Sequence, residues 1–566
     1  MKEFIQKAPV LKNQYEDDDL LKSFLAIKLP KKHQRIVSRD LADFGERVVS
    51  DIQEMARDAE RNPPELVAFD PWGNRIDRVI TSSGWENLAR VSASEGLVSL
   101  GYTRDFGAYS RMVQFAKLYL FHPSSAFFSC PLAMTDGAAK LIEIYGTPEL
   151  KQKAFAHLTS SDPDTFWTSG QWMTERTGGS DVSHTETVAE ETKDGWRLYG
   201  TKWFCSAITA QMSMALARIK DKDGKTIPGS RGLSLFYIEL KNENSENNNF
   251  EIIRIKEKLG TNALPTAEII LRGTKATLVG NVGDGVKNIS SMFNITRLYN
   301  AITSVGAFRR ILALAVDYSD KRSAFNKAIG QHPLNIAVLA TAKIDYHACF
   351  HLTFLVSELL GNDEIYEKDN ALELEHEDIK KLLRLLTPVA KLYTAKKVCR
   401  ATSELLEVFA GVGYIEDSGI PRLYRDNQVF SIWEGTTNVL SLDLLRAMKK
   451  DYSFAVFVKF IQHKIKKIQS ADLQHECTRL LASLDELMNS IENSILNADI
   501  ELETKARDIA FSIGNIAAAA CMLEHAANEN AQGNAAEVVK MFLEKNPTQI
   551  EPFDQNRLDK WQRIIL

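Results

Sequence analysis

Short β-rich runs occupy one stretch of the chain, from about Trp167 to Leu271, and helical periodicity dominates on both sides of it. Before this stretch, residues from about 35 to 158 carry apolar side chains at three- and four-residue spacing, which is typical of amphipathic helices. Within it, turn-formers such as Lys222-Asp223-Gly224 separate the runs, which predicts a compact antiparallel β domain. After about Val286 the helical spacing returns in stretches long enough for a bundle. The pattern therefore predicts an α+β protein.

Four domains are predicted at these changes of texture: an N-terminal helical domain (1–165), a central antiparallel β domain (166–285), a C-terminal helical bundle (286–450) and a helical extension (451–566). The Pro- and Gly-punctuated segment Asn62–Gly73 cannot be continuous helix and is predicted to be a connector. The predicted strands are Trp196–Ser206, Met212–Ile219, Leu233–Glu239, Phe250–Ile255 and Ala267–Leu271. The predicted bundle helices are Asn288–Val316, Pro333–Leu360, Ile379–Phe409 and Thr437–Lys449.

Composition narrows the function classes. The 566 residues are 44% hydrophobic and 25% charged, as in ordinary globular proteins, and the net charge of -5 gives no general attraction to nucleic acid or anionic membranes. Six scattered cysteines without metal-ligand spacing argue against a metal site and favour a reducing compartment. We recognise no apolar run of membrane-spanning length and no targeting signal, so a cytoplasmic location is expected by elimination.

Two segments bring small and hydroxyl residues together. The first, Met173–Val182, reads M-T-E-R-T-G-G-S-D-V; its glycines allow close backbone approach to a flat cofactor, and its hydroxyls can bind carbonyl or phosphate oxygens. A Gly-Gly-Ser triplet alone would be more typical of a simple turn. The second, Gly200–Ser206, reads G-T-K-W-F-C-S, and by itself is a strand with aromatic residues that usually pack in a core.

Chemistry-bearing residues also cluster late in the chain. Glu407–Tyr414 is followed by Pro421–Asp426 and then by Ile432–Asn438, which reads I-W-E-G-T-T-N. A glutamate before Gly-Thr means little alone, because most glutamates are surface charges. The whole string from Glu407 to Asn438, by contrast, is too specific to be explained by chance.

Together these segments resemble the acyl-CoA dehydrogenase family, which carries T-E-x-x-x-G-S-D-[VL], G-x-K-x-[WF]-I-[TS] and G-G-x-G-[YF] … R-D … I-[YW]-E-G-T-x-[NQ]. The early Asn62–Asp70 string, Trp433 before the glutamate, the Ser441–Arg446 ending and the long extension resemble its AidB-like branch. The chain departs from the usual family pattern at Arg176-Thr177, at Asn326, which replaces a glycine, and at Ala410, which replaces another.

The resemblance implies the acyl-CoA dehydrogenase-like fold, bound FAD, an acyl-CoA substrate and a homotetramer, with an electron-accepting protein as a further partner. It assigns Glu434 as the catalytic base. The cofactor-binding residues that it implies are Met173, Thr174, Gly179, Ser180, Phe204, Ser206, Gly411, Thr436 and Asn438, with Arg322 and Phe325 reaching the FAD of a neighbouring subunit. The implied substrate-binding residues are Ser180, Asn294, Arg297 and Gly435.

The expected function is therefore FAD-dependent α,β-dehydrogenation of an acyl-CoA thioester. Three alternatives stay open: an acyl-CoA-binding flavoprotein with little turnover, an acyl-CoA oxidase that produces peroxide, and a DNA-associated alkylation-response flavoprotein. DNA binding is disfavoured because the extension is acidic by our count and its basic residues cluster only at Lys459–Lys467. The acyl chain length and the electron acceptor are not indicated by the sequence.

Overall fold

The computed structural model describes residues 5–367, 370–497, 499–532, 534–545 and 547–548. The first domain is mainly helical, and two of its helices, α6 (Ser110–Phe121) and α7 (Ser129–Tyr145), are almost wholly buried. Side chains cap several of the helices; Asp18 accepts from Leu21 N at the start of α1, and Ser82 accepts from Trp85 N at the start of α4. The elements of this domain are α1 Asp19–Lys28, α2 Lys31–Arg47, α3 Asp51–Arg61, β1 Glu65–Phe69, β2 Arg75–Ile80, α4 Ser83–Ser94, α5 Leu100–Thr103, α6 Ser110–Phe121, α7 Ser129–Tyr145, α8 Pro148–Leu150 and α9 Ala156–Leu158.

The predicted connector Asn62–Gly73 is not helical, and it contains strand β1 and the turn of a hairpin, which the sequence prediction did not include. Strands β1 and β2 pair in antiparallel fashion, and the Asp70 side chain accepts from the N–H groups of Trp72 and Asn74 in the turn. Proline excludes a helix here, as the sequence indicated, but it does not reveal that the flanking residues pair. The hairpin docks on the β domain, where Asp77 accepts from Ile252 N at 2.8 Å.

The central domain is a seven-stranded sheet in which five strands close into a ring. Their order is β6 (Met212–Ile219), β4 (Val188–Thr192), β5 (Gly195–Ser206), β9 (Thr266–Val279) and β7 (Leu233–Glu239), and β7 pairs back with β6. β3 extends the sheet beside β6, and β8 pairs with β9. The strands are β3 Ser169–Trp172, β4 Val188–Thr192, β5 Gly195–Ser206, β6 Met212–Ile219, β7 Leu233–Glu239, β8 Phe250–Ile255 and β9 Thr266–Val279.

This β domain is mixed rather than purely antiparallel, which corrects one detail of the sequence prediction. Both β3 and β4 run parallel to β6, while the remaining pairings are antiparallel. Strands β3 and β4 lie one after the other along the same edge of β6, because β3 pairs with Met212–Ala215 and β4 pairs with Arg218–Ile219, and the segment 173–187 loops out between them. This connecting segment contains the glycine-rich string Met173–Val182.

Four long helices and one short helix form the bundle, whose apolar side chains share one large core with the N-terminal domain. A short hairpin of two-residue strands, β10 (Ser323–Ala324) and β11 (Lys327–Ala328), lies between the first two long helices. The elements are α10 Gly285–Lys321, β10 Ser323–Ala324, β11 Lys327–Ala328, α11 Pro333–Ile365, α12 His376–Val408, α13 Ile420–Asn427 and α14 Thr437–Asp451.

The extension packs against this bundle through helices α15 Ser453–Lys466, α16 Gln474–Asn497, α17 Asp499–Ala526 and α18 Ala535–Glu544. Tyr393 of α12 donates to Asn515 of α17 at 2.9 Å, and Lys464 of α15 pairs with Glu524 of α17 at 2.6 Å. Among the described residues, one helix, Ile500–Ala526, is long and apolar enough to cross a membrane, a run that the sequence prediction overlooked. Because 83% of its most apolar window is buried inside the protein, it has the character of a core helix.

Candidate active site

Glu434 lies in a turn between the 3₁₀ segment Gln428–Ser431 and α14. Its backbone is left-handed, with φ of 55°, and Gly435 follows with φ of 103°. A left-handed residue other than glycine costs roughly 1–2 kcal/mol, so contacts from the surrounding helices must hold this turn. A Cβ at Gly435 would lie 2.9 Å from Leu440, so the turn also requires glycine beside Glu434.

Helix α10 holds the Glu434 carboxylate. Thr296 Oγ1 donates to Glu434 Oε2 at 2.8 Å, although the two residues are 138 positions apart. Burial of the carboxyl group raises the pKa of Glu434, while the Thr296 hydrogen bond and the Arg297 charge oppose that rise. A carboxylate of raised basicity, oriented by a hydroxyl group, is suited to accept a proton.

Two residues predicted to bind substrate flank Thr296 on α10. Asn294 is half-buried, and Arg297 donates to one oxygen of Asp443 in α14 at 2.9 Å. Arg384 of α12 donates to the other Asp443 oxygen at 2.6 Å. Arg297 therefore lies near Glu434, as the resemblance implied, but its guanidinium group ties α10 to α14, and a contact with substrate stays a prediction.

Lys391 of α12 lies behind the same turn. Its side chain is buried, and its amine donates to the backbone carbonyl of Gly435 at 2.6 Å. Burial lowers the pKa of Lys391 to about 7, and the nearby Glu434 charge opposes that fall. The Glu434 turn is thus contacted from α10 on its carboxylate side and from α12 on its backbone side.

The glycine-rich loop is anchored by a buried ion pair. Glu175 accepts from Lys202 of β5 at 2.6 Å, and both side chains are almost fully buried. Thr174 also accepts from Trp203 N at 2.9 Å through its carbonyl. A Cβ at Gly179 would lie 2.9 Å from the Thr174 side chain, so glycine is needed for the loop to fold back on itself. Three predicted cofactor residues, Thr174, Gly179 and Ser180, are brought together by this loop, and the fourth, Met173, is buried at its start.

Phe204 and Ser206 lie on one face of β5, two residues apart. Phe204 is 49% exposed, which is unusual for a large apolar side chain in a strand of this domain. Lys256 Nζ lies 4.4 Å from the centre of the Phe204 ring, and Ser206 Oγ lies 3.1 Å from Thr266 Oγ1. An exposed aromatic ring with a hydroxyl beside it is a surface on which a flat ring system can stack.

Gly411, Thr436 and Asn438 are exposed; Thr436 and Asn438 lie at the N-terminus of α14, and Gly411 lies in the 3₁₀ segment Ala410–Tyr414 that follows α12. No atom lies within 4 Å of the position that a Cβ on Gly411 would take. Ala410, where the family pattern has glycine, adopts a left-handed φ of 49°. N–H groups at a helix N-terminus attract anionic groups such as phosphate, so these exposed residues fit a large phosphate-bearing cofactor.

Arg322 and Phe325 lie far from this site within one subunit. Both follow α10, and the helical rise separates Arg322 from Thr296 by roughly 40 Å. Phe325 is 91% exposed in the β10–β11 turn, and Asn326 has a left-handed φ of 67°, which asparagine tolerates in place of the glycine of the family pattern. A role for these two residues at a cofactor requires a second subunit.

Thr296, Lys391 and the Glu175–Lys202 pair were not predicted from the sequence. A threonine or lysine within a long amphipathic helix shows no local pattern that separates a buried contact from a solvated face. Thr296 offered one signal, because it lies between two predicted site residues, and Glu175 and Lys202 offered another, because they occupy the fixed E and K positions of the two motifs in the β domain.

Four family models match successive parts of the chain: the adaptive response protein AidB N-terminal domain (7–165), the acyl-CoA dehydrogenase middle domain (170–274), the acyl-CoA dehydrogenase C-terminal domain (283–449) and the acyl-CoA dehydrogenase 11 C-terminal domain-like model (453–559). The chain is 40% identical over 539 residues to acyl-CoA dehydrogenase family member 11 of Caenorhabditis elegans, covering 93% of this chain and 86% of the relative. The chain belongs to the acyl-CoA dehydrogenase family. It is also 30% identical to the putative acyl-CoA dehydrogenase AidB of Escherichia coli, over 72% of this chain and 74% of that relative.

Solved structures agree with this family membership. The structure of C. elegans ACDH-11 in complex with C11-CoA has a TM-score of 0.95 and 38% identity, covering 100% of this chain and 97% of that one. The Bd2924 apo-form has a TM-score of 0.85 and 48% identity, covering 92% and 99%. An acyl-CoA dehydrogenase from Bacillus anthracis complexed with FAD, at 17% identity and a TM-score of 0.72, shares the fold and covers 98% of this chain and 94% of that one.

These comparisons confirm the predicted fold class, the AidB-like branch and the assignment of the chain as an FAD-dependent oxidoreductase of the acyl-CoA dehydrogenase family. The exposed face at Phe204 and the open backbone at Gly411 fit the FAD that such a protein carries. The roles of the individual site residues and the boundaries of the four domains stay predictions.

Proposed function

We propose that this protein removes the α-proton and β-hydride of an acyl-CoA thioester, with Glu434 as the general base. The observation that carries this proposal is the Glu434 turn: a left-handed backbone, a carboxylate held by Thr296 at 2.8 Å, and a pKa raised by burial. Strained backbone conformations of this kind persist where the surrounding structure holds them, and they concentrate at functional sites.

In this reaction the α-carbon–hydrogen bond breaks and its proton passes to the Glu434 carboxylate. Bound FAD supplies the acceptor for the hydride that leaves the β-carbon. Negative charge develops on the thioester oxygen as the proton leaves, and the backbone N–H of Glu434 would donate to it. Gly435, which has no side chain, leaves room for the substrate to approach this N–H group.

The residues proposed to hold FAD come from three elements. The glycine-rich loop would contribute Thr174, Gly179 and Ser180, with Met173 packed beneath it, and β5 would contribute Phe204 and Ser206. Gly411, Thr436 and Asn438 would border the cofactor from the bundle. We further propose a homotetramer in which the exposed Phe325 and neighbouring Arg322 contact the cofactor of another subunit.

The test is an anaerobic titration of the FAD-loaded protein with acyl-CoAs of graded chain length, followed by flavin absorbance. A productive acyl-CoA should bleach the flavin, and Glu434→Gln should slow bleaching by about 10²–10⁴-fold while retaining FAD and acyl-CoA binding. Acyl-CoA binding to the wild type without bleaching would instead select the binding-protein alternative. Peroxide formed in air would identify an oxidase.

One observation weakens the DNA-associated alternative. Within the basic cluster Lys459–Lys467, Lys464 is buried and pairs with Glu524, so its charge does not face solvent. A phosphate-binding surface depends on several exposed cations. DNA retention that falls steeply as salt rises would restore this alternative.

A further inference from the structure

Lys391 carries its amine into the protein interior at the middle of α12. The side chain is 0% exposed, and Nζ donates to the Gly435 carbonyl at 2.6 Å. Burying an ammonium group is costly, and an apolar side chain of similar volume often avoids that cost at no loss of stability. The position is therefore explained by what the ammonium group does rather than by filling space.

The groups around Lys391 differ from those around the lysine of an ordinary buried ion pair. Within the described part of the chain, Lys391 forms no direct ion pair, and Glu434 is the carboxylate whose charge favours its protonated form. The other charged or titratable groups facing Lys391 or Glu434 are Arg297 of α10, Cys130 of α7, and Lys396 and Cys399 of α12. Lys391 therefore binds the backbone of the catalytic turn directly and acts on its carboxylate through space.

We propose that Lys391 is a positioning residue for catalysis, which holds the Glu434–Gly435 turn through the Gly435 carbonyl and favours the ionised form of Glu434 before the substrate proton is taken. The proposal rests on the proposed function of Glu434 as the base. Glu434 accepts the α-proton and becomes neutral, whereas the Lys391 amine donates to the Gly435 carbonyl throughout. No proton passes between the two side chains in this step.

The backbone contact has its own consequence. The carbonyl bound by Lys391 belongs to the Gly435–Thr436 peptide, and the N–H proposed to bind the thioester oxygen belongs to the Trp433–Glu434 peptide, so the two groups lie on either side of the Glu434–Gly435 peptide. Because the left-handed backbone of Glu434 costs free energy, loss of the Lys391 hydrogen bond would let the turn relax. Both the base and the oxygen donor would then move together.

The first experiment measures anaerobic flavin reduction by a productive acyl-CoA in the FAD-loaded protein, by stopped flow across a range of pH. We expect Lys391→Met to lower the saturating rate by about 10- to 100-fold and to move the acid limb of the pH profile to higher pH. Lys391→Arg, which retains the charge and donors, should recover most of both effects.

The matched control is Lys464→Met, which removes another buried lysine remote from the turn. Its partner Glu524 retains Lys28 at 3.1 Å, so this variant should keep the wild-type rate and pH profile. The proposal is overturned if Lys391→Met with a full complement of FAD keeps the wild-type rate and profile, or if Lys464→Met loses as much.

A second measurement does not depend on turnover. Hydrogen exchange at the backbone amides of residues 432–438 should be faster in Lys391→Met than in the wild type, with α16 unchanged. If no acyl-CoA reduces the wild-type flavin, the proposed function fails, and exchange alone then decides whether Lys391 holds the turn. Unchanged exchange at residues 432–438 would overturn the positioning role.

Discussion

Two glutamates in this protein each lie near a fully buried lysine, and the outcomes are opposite. In the β domain, Lys202 contacts Glu175 directly at 2.6 Å, and together with other hydrogen bonds this contact outweighs burial and lowers the pKa of Glu175. In the bundle, Lys391 contacts the Gly435 carbonyl instead, and burial raises the pKa of Glu434. The same two residue types thus form a structural ion pair in one region and leave a basic carboxylate in the other.

The difference teaches that the partner of the lysine, rather than its burial, decides which kind of glutamate results. Glu175 also accepts from the Thr187 hydroxyl and the Glu186 N–H, so its oxygens are committed within the protein. Glu434 accepts from Thr296 on one oxygen. A carboxylate whose oxygens already accept an ion pair and several hydrogen bonds is a poor base. A carboxylate with a free lone pair and a raised pKa is a better base.

The largest expected effect comes from breaking the structural pair. Lys202→Met should lower the free energy of unfolding by about 3–5 kcal/mol, because Glu175 would remain buried without its counter-charge. Urea denaturation monitored by tryptophan fluorescence measures this loss. The double variant Lys202→Met/Glu175→Met should recover much of it, and a loss below about 1 kcal/mol in the single variant would contradict the comparison.

A smaller effect is expected at the Glu434 carboxylate. Thr296→Val removes the hydrogen bond to Glu434 and should slow flavin reduction by about tenfold, with the acid limb of the pH profile displaced upward. The displacement follows because that bond lowers the pKa of Glu434. Thr303→Val is the control, since Thr303 is equally buried on α10 but donates to its own helix at Tyr299 O, 2.7 Å away. Equal slowing in both variants would assign the effect to helix packing.

The smallest effect is expected for Glu434→Gln, and its pH-dependent change in stability should be opposite in sign to that of Glu175→Gln. A raised folded pKa means that ionisation of Glu434 opposes folding, so Glu434→Gln should be slightly more stable than the wild type at neutral pH, with the gain vanishing as pH falls below the unfolded pKa. The lowered folded pKa of Glu175 means that its stabilisation is present above the unfolded pKa and lost as pH falls through the folded value. Glu175→Gln should therefore be less stable than the wild type at neutral pH. Thermal melts of both variants at several pH values measure these changes. Stability changes of the same sign in the two variants at neutral pH would contradict this account.

The sequence predicts the bounds of a strand well where turn-forming residues lie at both of its ends. The strands Met212–Ile219, Leu233–Glu239 and Phe250–Ile255 have the predicted bounds because turn-formers flank runs of β-favouring residues. Strands β3 and β4, with four and five residues, are too short to show a pattern. Strand β9 continues to Val279, past the predicted end at Leu271, because its pairing with β5 and β7 extends beyond the apolar run.

The candidate site likewise contains residues that the sequence predicts and residues that it does not. Glu434 and Gly435 were predicted because their local string is distinctive. Thr296 and Lys391 were missed because their relation to Glu434 exists only after three helices pack together. Arg297 was predicted near the site, but its pairing with Asp443 was not, since nothing in either segment indicates which acid a given arginine will meet.

The apolar helix α17 has a consequence for how the chain is made. It packs against α11, α12, α14 and α15, all of which leave the ribosome before it. Until residue 526 has been synthesised, the surface that α17 covers is exposed to water, and such surfaces promote aggregation during folding. A message truncated between the bundle and this helix would therefore yield a nascent chain that contains every predicted catalytic residue and yet depends on chaperones to remain in solution.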